Sequence, residues 1–227
     1  MRINKFVAGR SGLSRRAADA AIEQGRVQVN GQAPQPGQDV ANADHVTLDG
    51  VELGANLEVQ TIMLHKPINY VVSRDGQGSA TIYDLLPSKL HHLKPVGRLD
   101  KDSSGLLLLT NDGQLAQELT HPKYQKTKVY EVELSSPLSD TQRERISKHG
   151  IQLPDGLSRL WLVPLGTTGR NWRVTMYEGR NRQIRRTFAE LGHQVIRLHR
   201  TQFGTYRLPA TLLAGQWAPA ASTLDPR

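Results

Sequence analysis

One loop and the apolar run after it hold the residue types best suited to chemistry. Residues 97–105 read Gly-Arg-Leu-Asp-Lys-Asp-Ser-Ser-Gly, followed by four leucines and Thr-Asn-Asp-Gly. The leucines predict a buried strand or a buried helical turn, and Asn-Asp-Gly predicts a tight turn. A rigid buried segment would therefore fix a loop that presents Arg98, Asp100 and Asp102. The same residue types also form caps and ion pairs in ordinary surface loops.

The composition of the chain limits its domain count, its cellular compartment and the ligands that it can bind. The 227 residues allow one large domain or two smaller ones. The chain has no cysteine, which excludes disulfides and is typical of a reducing compartment. It lacks the apolar run of a signal peptide or a membrane span. We therefore expect a cytoplasmic monomer with no membrane partner. His91 and His92 lack a third ligand at helical or hairpin spacing, so we expect no metal site.

The charge is clustered. The net charge is +8 with a pI near 9.9, which favours a polyanionic partner. Residues 1–30 carry +4, residues 31–60 carry −5 and residues 180–207 carry +6. Two separated basic segments suit an elongated anion better than a small acid. Excess arginine also serves solubility, but clustering on two segments argues against that alternative.

The first sixty residues are predicted to form two helices and two hairpins. The helices should cover residues 2–10 and 15–24, with Ser14 as the cap of the second. Strand 27–29 should lead into a hairpin at Asn30-Gly31, and a second hairpin should cover residues 46–53. Arg15 and Arg16 lie beside the outward-facing amides of the second helix, so both can bind phosphates. Alternatively, they only solvate the outer face of that helix.

The remaining chain is rich in strands with few helical crossovers, which indicates an α+β fold. Residues 54–60 look like a connector. We predict strands over 61–65, 70–72, 127–134, 159–163, 171–177 and 195–200, and helices over 79–86, 114–119 and 139–149, with a last helix opening within 178–186 and capped by Asn181.

Four arginines crowd the start of the last helix. Arg185 lies about 100° around the helix from Ile184, beside the apolar stripe that Ile184 begins. Arg182 and Arg186 lie on the far side. We therefore expect Arg185 to reach inward to a cleft. Arg180, Arg182 and Arg186 are expected to face a polyanion.

The central loop resembles the signature of RNA pseudouridine synthases, which combines Gly-Arg-Leu-Asp, a Ser/Thr-Gly, a leucine run and Thr-Asn-Asp-Gly. The match covers seventeen contiguous positions. The resemblance implies that Asp100 is the catalytic nucleophile. It also implies that Arg98 contacts RNA around the extruded nucleotide.

Three further site residues follow from the same resemblance. The segment Lys-Val-Tyr-Glu-Val at 128–132 is similar to the family's Lys-x-Tyr-x-Val, which implies an active-site Tyr130. On residue type alone, Tyr130 is an ordinary strand residue. Gln-Ile-Arg at 183–185 implies that Arg185 pairs with Asp100, which keeps the carboxylate ionised. The strand 195–200 implies an apolar Leu198 near the active site.

The resemblance extends to the domain organisation. Residues 1–60, with a connector from about 54, resemble the S4-like RNA-binding domain through Arg-Ile-Asn-Lys-Phe, Ser-Arg-Arg and Gly-Arg-Val-Gln-Val-Asn-Gly. Residues 61–227 then correspond to a catalytic domain with a bent, mostly antiparallel sheet flanked by helices. The closest branch is the RsuA type, which acts on ribosomal RNA. His65 departs from the asparagine that usually precedes Lys-Pro.

The implied activity is isomerisation of uridine to pseudouridine in ribosomal RNA, free or in an assembling subunit. It needs no cofactor, and we favour the large subunit over the small. A non-catalytic RNA-binding or ribosome-assembly factor is the competing class, and it would be expected to lack Asp100. A glycoside hydrolase would use two carboxylates, for which Asp100 and Asp102 are candidates.

Overall fold

A computed structural model describes residues 1–41, 43–54 and 57–221. The chain forms two compact units, Met1–Gln60 and Thr61–Arg227. Part of the expected connector, at residues 55–56, and the end of the expected catalytic domain, at residues 222–227, lie outside the described residues.

The first unit combines two helices with a three-stranded antiparallel sheet. Both helices follow the sequence signals: Gly12 ends the first in a left-handed conformation, and the Ser14 hydroxyl accepts a hydrogen bond from the Ala17 amide. Ile3, Phe6 and their neighbours pack in a small core of the unit's own. The elements are α1 Ile3–Ser11, α2 Arg15–Glu23, β1 Val27–Val29, β2 Val46–Leu48 and β3 Val51–Glu52.

The first hairpin prediction is confirmed only at its turn. The Asn30-Gly31 turn forms, with φ of 51° and 79°, and an antiparallel bridge between Val29 and Gln32 closes it. Among the described residues the bridge does not extend into a strand, and β1 pairs with β2 instead. Pro34 and Pro36 lie just beyond the turn, and proline cannot donate to a strand ladder. The second hairpin, around Asp49-Gly50, is confirmed between β2 and β3.

The second unit contains a nine-stranded sheet, a separate two-stranded hairpin and three α-helices among its described residues. The elements are β4 Thr61–Lys66, β5 Lys94–Pro95, β6 Ser104–Thr110, α3 Gly113–Thr120, β7 Lys128–Leu134, α4 Asp140–Glu144, β8 Ile151–Leu153, β9 Gly156–Ser158, β10 Trp161–Pro164, β11 Asn171–Met176, α5 Gln183–Ala189, β12 Val195–Phe203, β13 Tyr206–Arg207 and β14 Trp217–Pro219.

The main path of the large sheet runs β10-β11-β7-β12-β6-β4-β14, with β13 on β12 and β5 on β6. Only the β12–β6 pair is parallel among the described strands, which confirms a mostly antiparallel α+β fold.

The leucine run is the buried centre of this sheet. Leu107 and Leu109 belong to the apolar core on one face, and Leu106 and Leu108 belong to the core on the other. Successive side chains of a strand point to opposite faces, so a strand covered on both faces has no polar positions. The run is therefore a strand, β6, and not a helical turn.

Two short elements before the central loop differ from the prediction. The expected strand at 70–72 is a single bridge between Val71 and Thr81, because both edges of β4 are already occupied by β6 and β14. The expected helix at 79–86 is a 3₁₀ turn, Ile82–Leu85. A capping box at Thr81 starts this turn late, which leaves too few residues before Pro87 for an α-helix.

The last two helices also differ from the prediction in detail. Ser139 caps α4 through a capping box, as expected, but the helix changes to a π-helical turn over Arg145–His149. The cap of α5 is Arg182 rather than Asn181, and Arg182 has a left-handed backbone with φ of 45°.

Candidate active site

A cleft of about 580 Å³ opens on the second unit, and predicted site residues from four chain segments line it. Asp100 comes from the loop between β5 and β6, Tyr130 from β7 and Leu198 from β12. Folding therefore brings these three side chains to one cavity although almost a hundred residues separate them. The lining residues predicted from sequence are Arg98, Asp100, Tyr130, Arg180, Arg182 and Leu198.

The loop that carries Asp100 is held from the protein interior by Lys66. The side chain of Lys66 is fully buried, and its Nζ donates to the carbonyl oxygens of Pro67, Asp100 and Ser103 at 2.9, 3.1 and 2.7 Å. Burial lowers the pKa of Lys66 to about 8, against the opposing charges of Asp100 and Asp102. The sequence analysis missed this function of Lys66; the available signal was a lysine at the end of an apolar strand.

Arg182, not Arg185, forms the ion pair with Asp100. Arg182 Nη1 lies 3.4 Å from Asp100 Oδ2, and the same guanidinium donates to both carboxylate oxygens of Asp102 at 3.1 and 3.0 Å. Arg185 Nη2 instead lies 3.3 Å from Asp102 Oδ2 and donates to the Asp102 carbonyl oxygen at 2.9 Å. The expected Arg185–Asp100 ion pair is therefore not among those of the described residues.

The start of α5 explains this difference. The prediction treated Arg182 as helical, which would turn it away from the cleft. The first helical residue is Gln183, so the left-handed Arg182 is free of the helical phase. Buried Gln183 fixes this start because its side-chain amide donates to Ser158 Oγ at 3.0 Å and accepts from the Arg180 amide at 3.2 Å. The prediction therefore gave Arg182 a direction around the helix axis that it does not have, because Arg182 lies before the first helical residue.

The two carboxylates of the loop differ in their surroundings. Burial acts to raise the pKa of Asp102, but hydrogen bonds from Arg182 and the charges of Arg185 and Arg182 lower it overall. Asp102 does not line the cleft and is engaged by both arginines. Asp100 lines the cleft with its side chain 33% exposed. The other acid in the cleft, Glu178, accepts hydrogen bonds from Arg180 and Gln183. The cleft therefore offers one carboxylate available for reaction, in place of the facing pair that a glycoside hydrolase requires.

Three further cations line the cleft: Lys126, Lys128 and Arg200. The sequence analysis quoted Lys128 only as part of the segment 128–132 and gave no function to Lys126 or Arg200. Arg200 is 2% exposed, and its Nε donates to the Leu106 carbonyl oxygen at 2.8 Å. Lys128 Nζ and Arg200 Cζ lie 5.1 and 4.8 Å from the centre of the Phe203 ring. Burial, together with the charge of Arg200, lowers the pKa of Lys128 to about 8, against the charge of Glu178. The cleft therefore favours an anionic ligand.

Tyr130 and Leu198 supply an apolar surface in the same cleft. They lie on neighbouring antiparallel strands, and their side chains are 8% and 7% exposed. Both belong to the apolar core that includes Leu107. Arg98, in contrast, is exposed where it lines the cleft. This combination of an apolar surface, a carboxylate and surrounding cations suits a planar base attached to a charged backbone.

The other predicted arginines have different environments. Arg180 donates to the carbonyl oxygens of residues 155–157 and, at 3.0 Å, to the Asp155 carboxylate, so it joins the β8–β9 hairpin to the cleft. Arg186 donates to both Asp155 carboxylate oxygens at 3.0 and 2.7 Å and does not line the cleft. Asp155, an acid that the sequence analysis did not consider, therefore engages both arginines. Arg15 and Arg16, in the first unit, are exposed.

Within residues 1–41, 43–54 and 57–221, no group of three or more histidine, aspartate or glutamate side chains could hold a metal ion. The helices in these same ranges include none long and apolar enough to span a membrane.

Comparison with known families identifies the class of protein. The family model for RNA pseudouridylate synthase matches residues 60–190, and the model for the S4 domain matches residues 1–46. The chain belongs to the RNA pseudouridylate synthase family. This membership confirms the resemblance seen in the central loop.

Particular relatives lie within the ribosomal branch of this family. The chain is 35% identical to the Escherichia coli ribosomal small subunit pseudouridine synthase A, over 96% of each sequence. It is 37% identical to the Xanthomonas campestris ribosomal large subunit pseudouridine synthase B, over 95% of this chain. The chain spans slightly less than half, 46%, of that relative's length. A solved pseudouridylate synthase structure, 34% identical, superposes with a TM-score of 0.70 over 96% of this chain and 95% of that one.

Proposed function

We propose that this protein isomerises uridine to pseudouridine in ribosomal RNA. The observation that supports this most strongly is the placement of Asp100: it lines the same cleft as Tyr130 and Leu198, on a loop tied to buried Lys66. The relatives named as ribosomal pseudouridine synthases support ribosomal RNA as the substrate.

In the proposed reaction, the Asp100 carboxylate is the nucleophile that acts on a flipped-out uridine. The carboxylate bonds to C1′ as the N1–C1′ bond breaks, and the uracil turns while it remains bound. C5 then bonds to C1′ as the bond between C1′ and Asp100 breaks, which frees the carboxylate. C5 then loses its proton and N1 gains one, so the product is an isomer of the substrate and no redox partner is consumed. Arg182 Nη1, 3.4 Å from Asp100 Oδ2, forms an ion pair that positions the carboxylate.

The remaining residues bind and position the nucleotide. A base must leave its stack to reach a cleft of this kind, and the vacated place is filled by Arg98. Tyr130 stacks on the extruded uracil, and Leu198 keeps water from the reacting atoms. Arg185 contributes indirectly: it holds Asp102 and the loop backbone rather than Asp100.

The S4-like unit anchors the RNA through phosphate contacts of exposed Arg15 and Arg16. We propose residues 1–60 as this RNA-binding domain and residues from 61 onward as the catalytic domain, in a cytoplasmic monomer. The relatives carry both subunit names, at 33–37% identity for the large and 34–35% for the small. We keep the large subunit as the proposal, and the mapping experiment below decides between the two.

The test maps pseudouridines on ribosomal RNA from cells with and without the gene, and from deleted cells that carry a wild-type copy. We expect at least one pseudouridine of the large-subunit RNA to be lost in the deleted cells and restored in the cells that carry the wild-type copy. Loss from the small-subunit RNA alone would overturn the choice of subunit. An unchanged map would contradict catalysis and favour a non-catalytic RNA-binding factor.

A further inference from the structure

Arg200 is a buried cation whose hydrogen bonding is incomplete. Its Nε is satisfied by the Leu106 carbonyl oxygen, but its buried Nη2 has no hydrogen-bond partner in the part of the chain that the structure describes. A buried donor without an acceptor destabilises the folded protein, and the free-energy cost is larger when the donor is charged. An acceptor supplied by a ligand would remove this cost.

Lys128 stands beside Arg200 in the cleft. Both cations lie over the same Phe203 ring, and both line the cavity that contains Asp100. The nearby acid, Glu178, is already engaged, because its carboxylate accepts hydrogen bonds from Arg180 at 3.3 Å and from Gln183. Two adjacent cations without a carboxylate of their own form a local positive site.

The position of Lys128 and Arg200 relative to the reacting groups limits which class of ligand the two cations can bind. Arg200 lies directly opposite Tyr130 across β12 and β7, and Lys128 lies two residues before Tyr130 on β7. Both cations therefore lie close to the tyrosine proposed to stack on the uracil. The ligand must therefore be an anion that accompanies a base bound in this cleft. In RNA, that anion is a phosphodiester group.

We propose that Lys128 and Arg200 form a binding site for the phosphate group attached to the target uridine. This inference rests on the proposed function, since it assumes that a uridine occupies the cleft. Lys128 contributes a half-buried ammonium, and Arg200 contributes the unsatisfied Nη2 donor. The site then holds the nucleotide by its backbone while the base turns.

Three probes test this site: uridine, uridine 5′-monophosphate and uridine 3′-monophosphate, each titrated at millimolar concentration into the full-length protein by NMR. One of the two monophosphates should bind roughly tenfold tighter than uridine, because a charge-assisted hydrogen bond is made only with phosphate. The monophosphate that shows the advantage identifies which side of the nucleotide is held.

The matched variants are Lys128→Met and Lys126→Met, since both lysines line the cleft but Lys126 is not part of the Arg200 pair. Lys128→Met should abolish the phosphate advantage, whereas Lys126→Met should keep it. Lys128→Met removes a partly buried cation, so it should fold, which a thermal melt checks. Arg200 is left unchanged because its Nε also binds the strand backbone.

Two results would overturn the proposal. The first is equal binding of uridine and both monophosphates, or no binding of any of the three. The second is that both variants lose the tighter binding of the monophosphate to the same extent. These measurements involve no turnover. Failure here with pseudouridine formation intact rejects only the phosphate site, whereas an inactive protein that still prefers a monophosphate rejects only the reaction.

Discussion

Replacing Lys66 with methionine should separate the positioning of Asp100 from the stability of the fold. Methionine keeps the length of the buried side chain but removes the ammonium that donates to three carbonyl oxygens, two of them in the Asp100 loop. Lys66 does not line the cleft, so the substitution leaves the binding surface intact. The expected effect is therefore on the reaction rate rather than on RNA affinity.

The magnitudes follow from the burial of Lys66. Its pKa of about 8 lies below the unfolded value of roughly 10.4, and each unit corresponds to about 1.4 kcal/mol, so the buried charge costs about 3 kcal/mol at neutral pH. Methionine removes this cost but also removes three hydrogen bonds from a charged donor, each worth about 1.5–2 kcal/mol toward the low end of the usual range. The two changes offset each other only in part, so the free energy of unfolding should fall by about 1.5–3 kcal/mol.

The reaction rate should fall although the two effects on stability offset each other in part, because the lost hydrogen bonds hold the loop that carries Asp100. A displacement of about 1 Å in a reacting group costs on the order of 100-fold in rate. We expect a 10- to 100-fold lower single-turnover rate of tritium release from RNA labelled at uridine C5, with RNA affinity nearly unchanged. Lys101→Met is the control: Lys101 lies in the same loop, but its Nζ donates to Ser79 Oγ at an exposed site.

The pH dependence of stability gives an independent check. Because the folded pKa of Lys66 is lowered, the unfolded chain binds more protons between pH about 8 and 10.4, and this group makes stability rise with pH across that window. The stability difference between wild type and Lys66→Met should therefore shift in favour of wild type there. A normal turnover rate in Lys66→Met would refute the positioning role. An unchanged difference across the window would refute the buried-charge argument.

Three other predictions concern separate parts of the molecule. Removing residues 1–60 should weaken binding to ribosomal RNA and flatten the slope of log affinity against log salt, since fewer phosphate contacts release fewer counterions; an unchanged slope argues against anchoring. Arg182→Ala should lower turnover at saturating RNA by about tenfold because Asp100 loses its ion pair, and a change in affinity alone would contradict this. Gly105→Ala should destabilise the fold by more than about 3 kcal/mol in denaturant melts, because its φ is 109° and a Cβ would lie 2.2 Å from a backbone oxygen; Gly113→Ala, with open space, should be nearly neutral.

Local signals predicted the elements that depend on local chemistry. Ser14 and Ser139 cap helices because a hydroxyl binds the free amides at a helix start, whatever the tertiary context. The leucine run was ambiguous because strand and helix differ there only in which faces are covered. That choice depends on β4, which pairs with all four leucines, and on β12, which pairs with β6 just before them; both lie far from the run in sequence.

The candidate site was predictable only in part, because residue contacts depend on the tertiary fold. The loop motif pointed to Asp100, and the strand motifs pointed to Tyr130 and Leu198, which the fold brings to one cleft. Which arginine reaches Asp100 depends on one positive φ at Arg182, and no residue signal indicated it because arginine rarely adopts that conformation. Buried Lys66 likewise looks like a surface lysine in the sequence.

The central claim, that Asp100 is the nucleophile, is tested most directly by Asp100→Asn. The amide keeps the shape of the carboxylate but cannot act as the nucleophile, so the variant should bind RNA while releasing no tritium from RNA labelled at uridine C5. Asp102→Asn is the matched control, because Asp102 is engaged by two arginines and does not line the cleft; its activity should be reduced but measurable. Near-normal tritium release by Asp100→Asn would contradict the assignment.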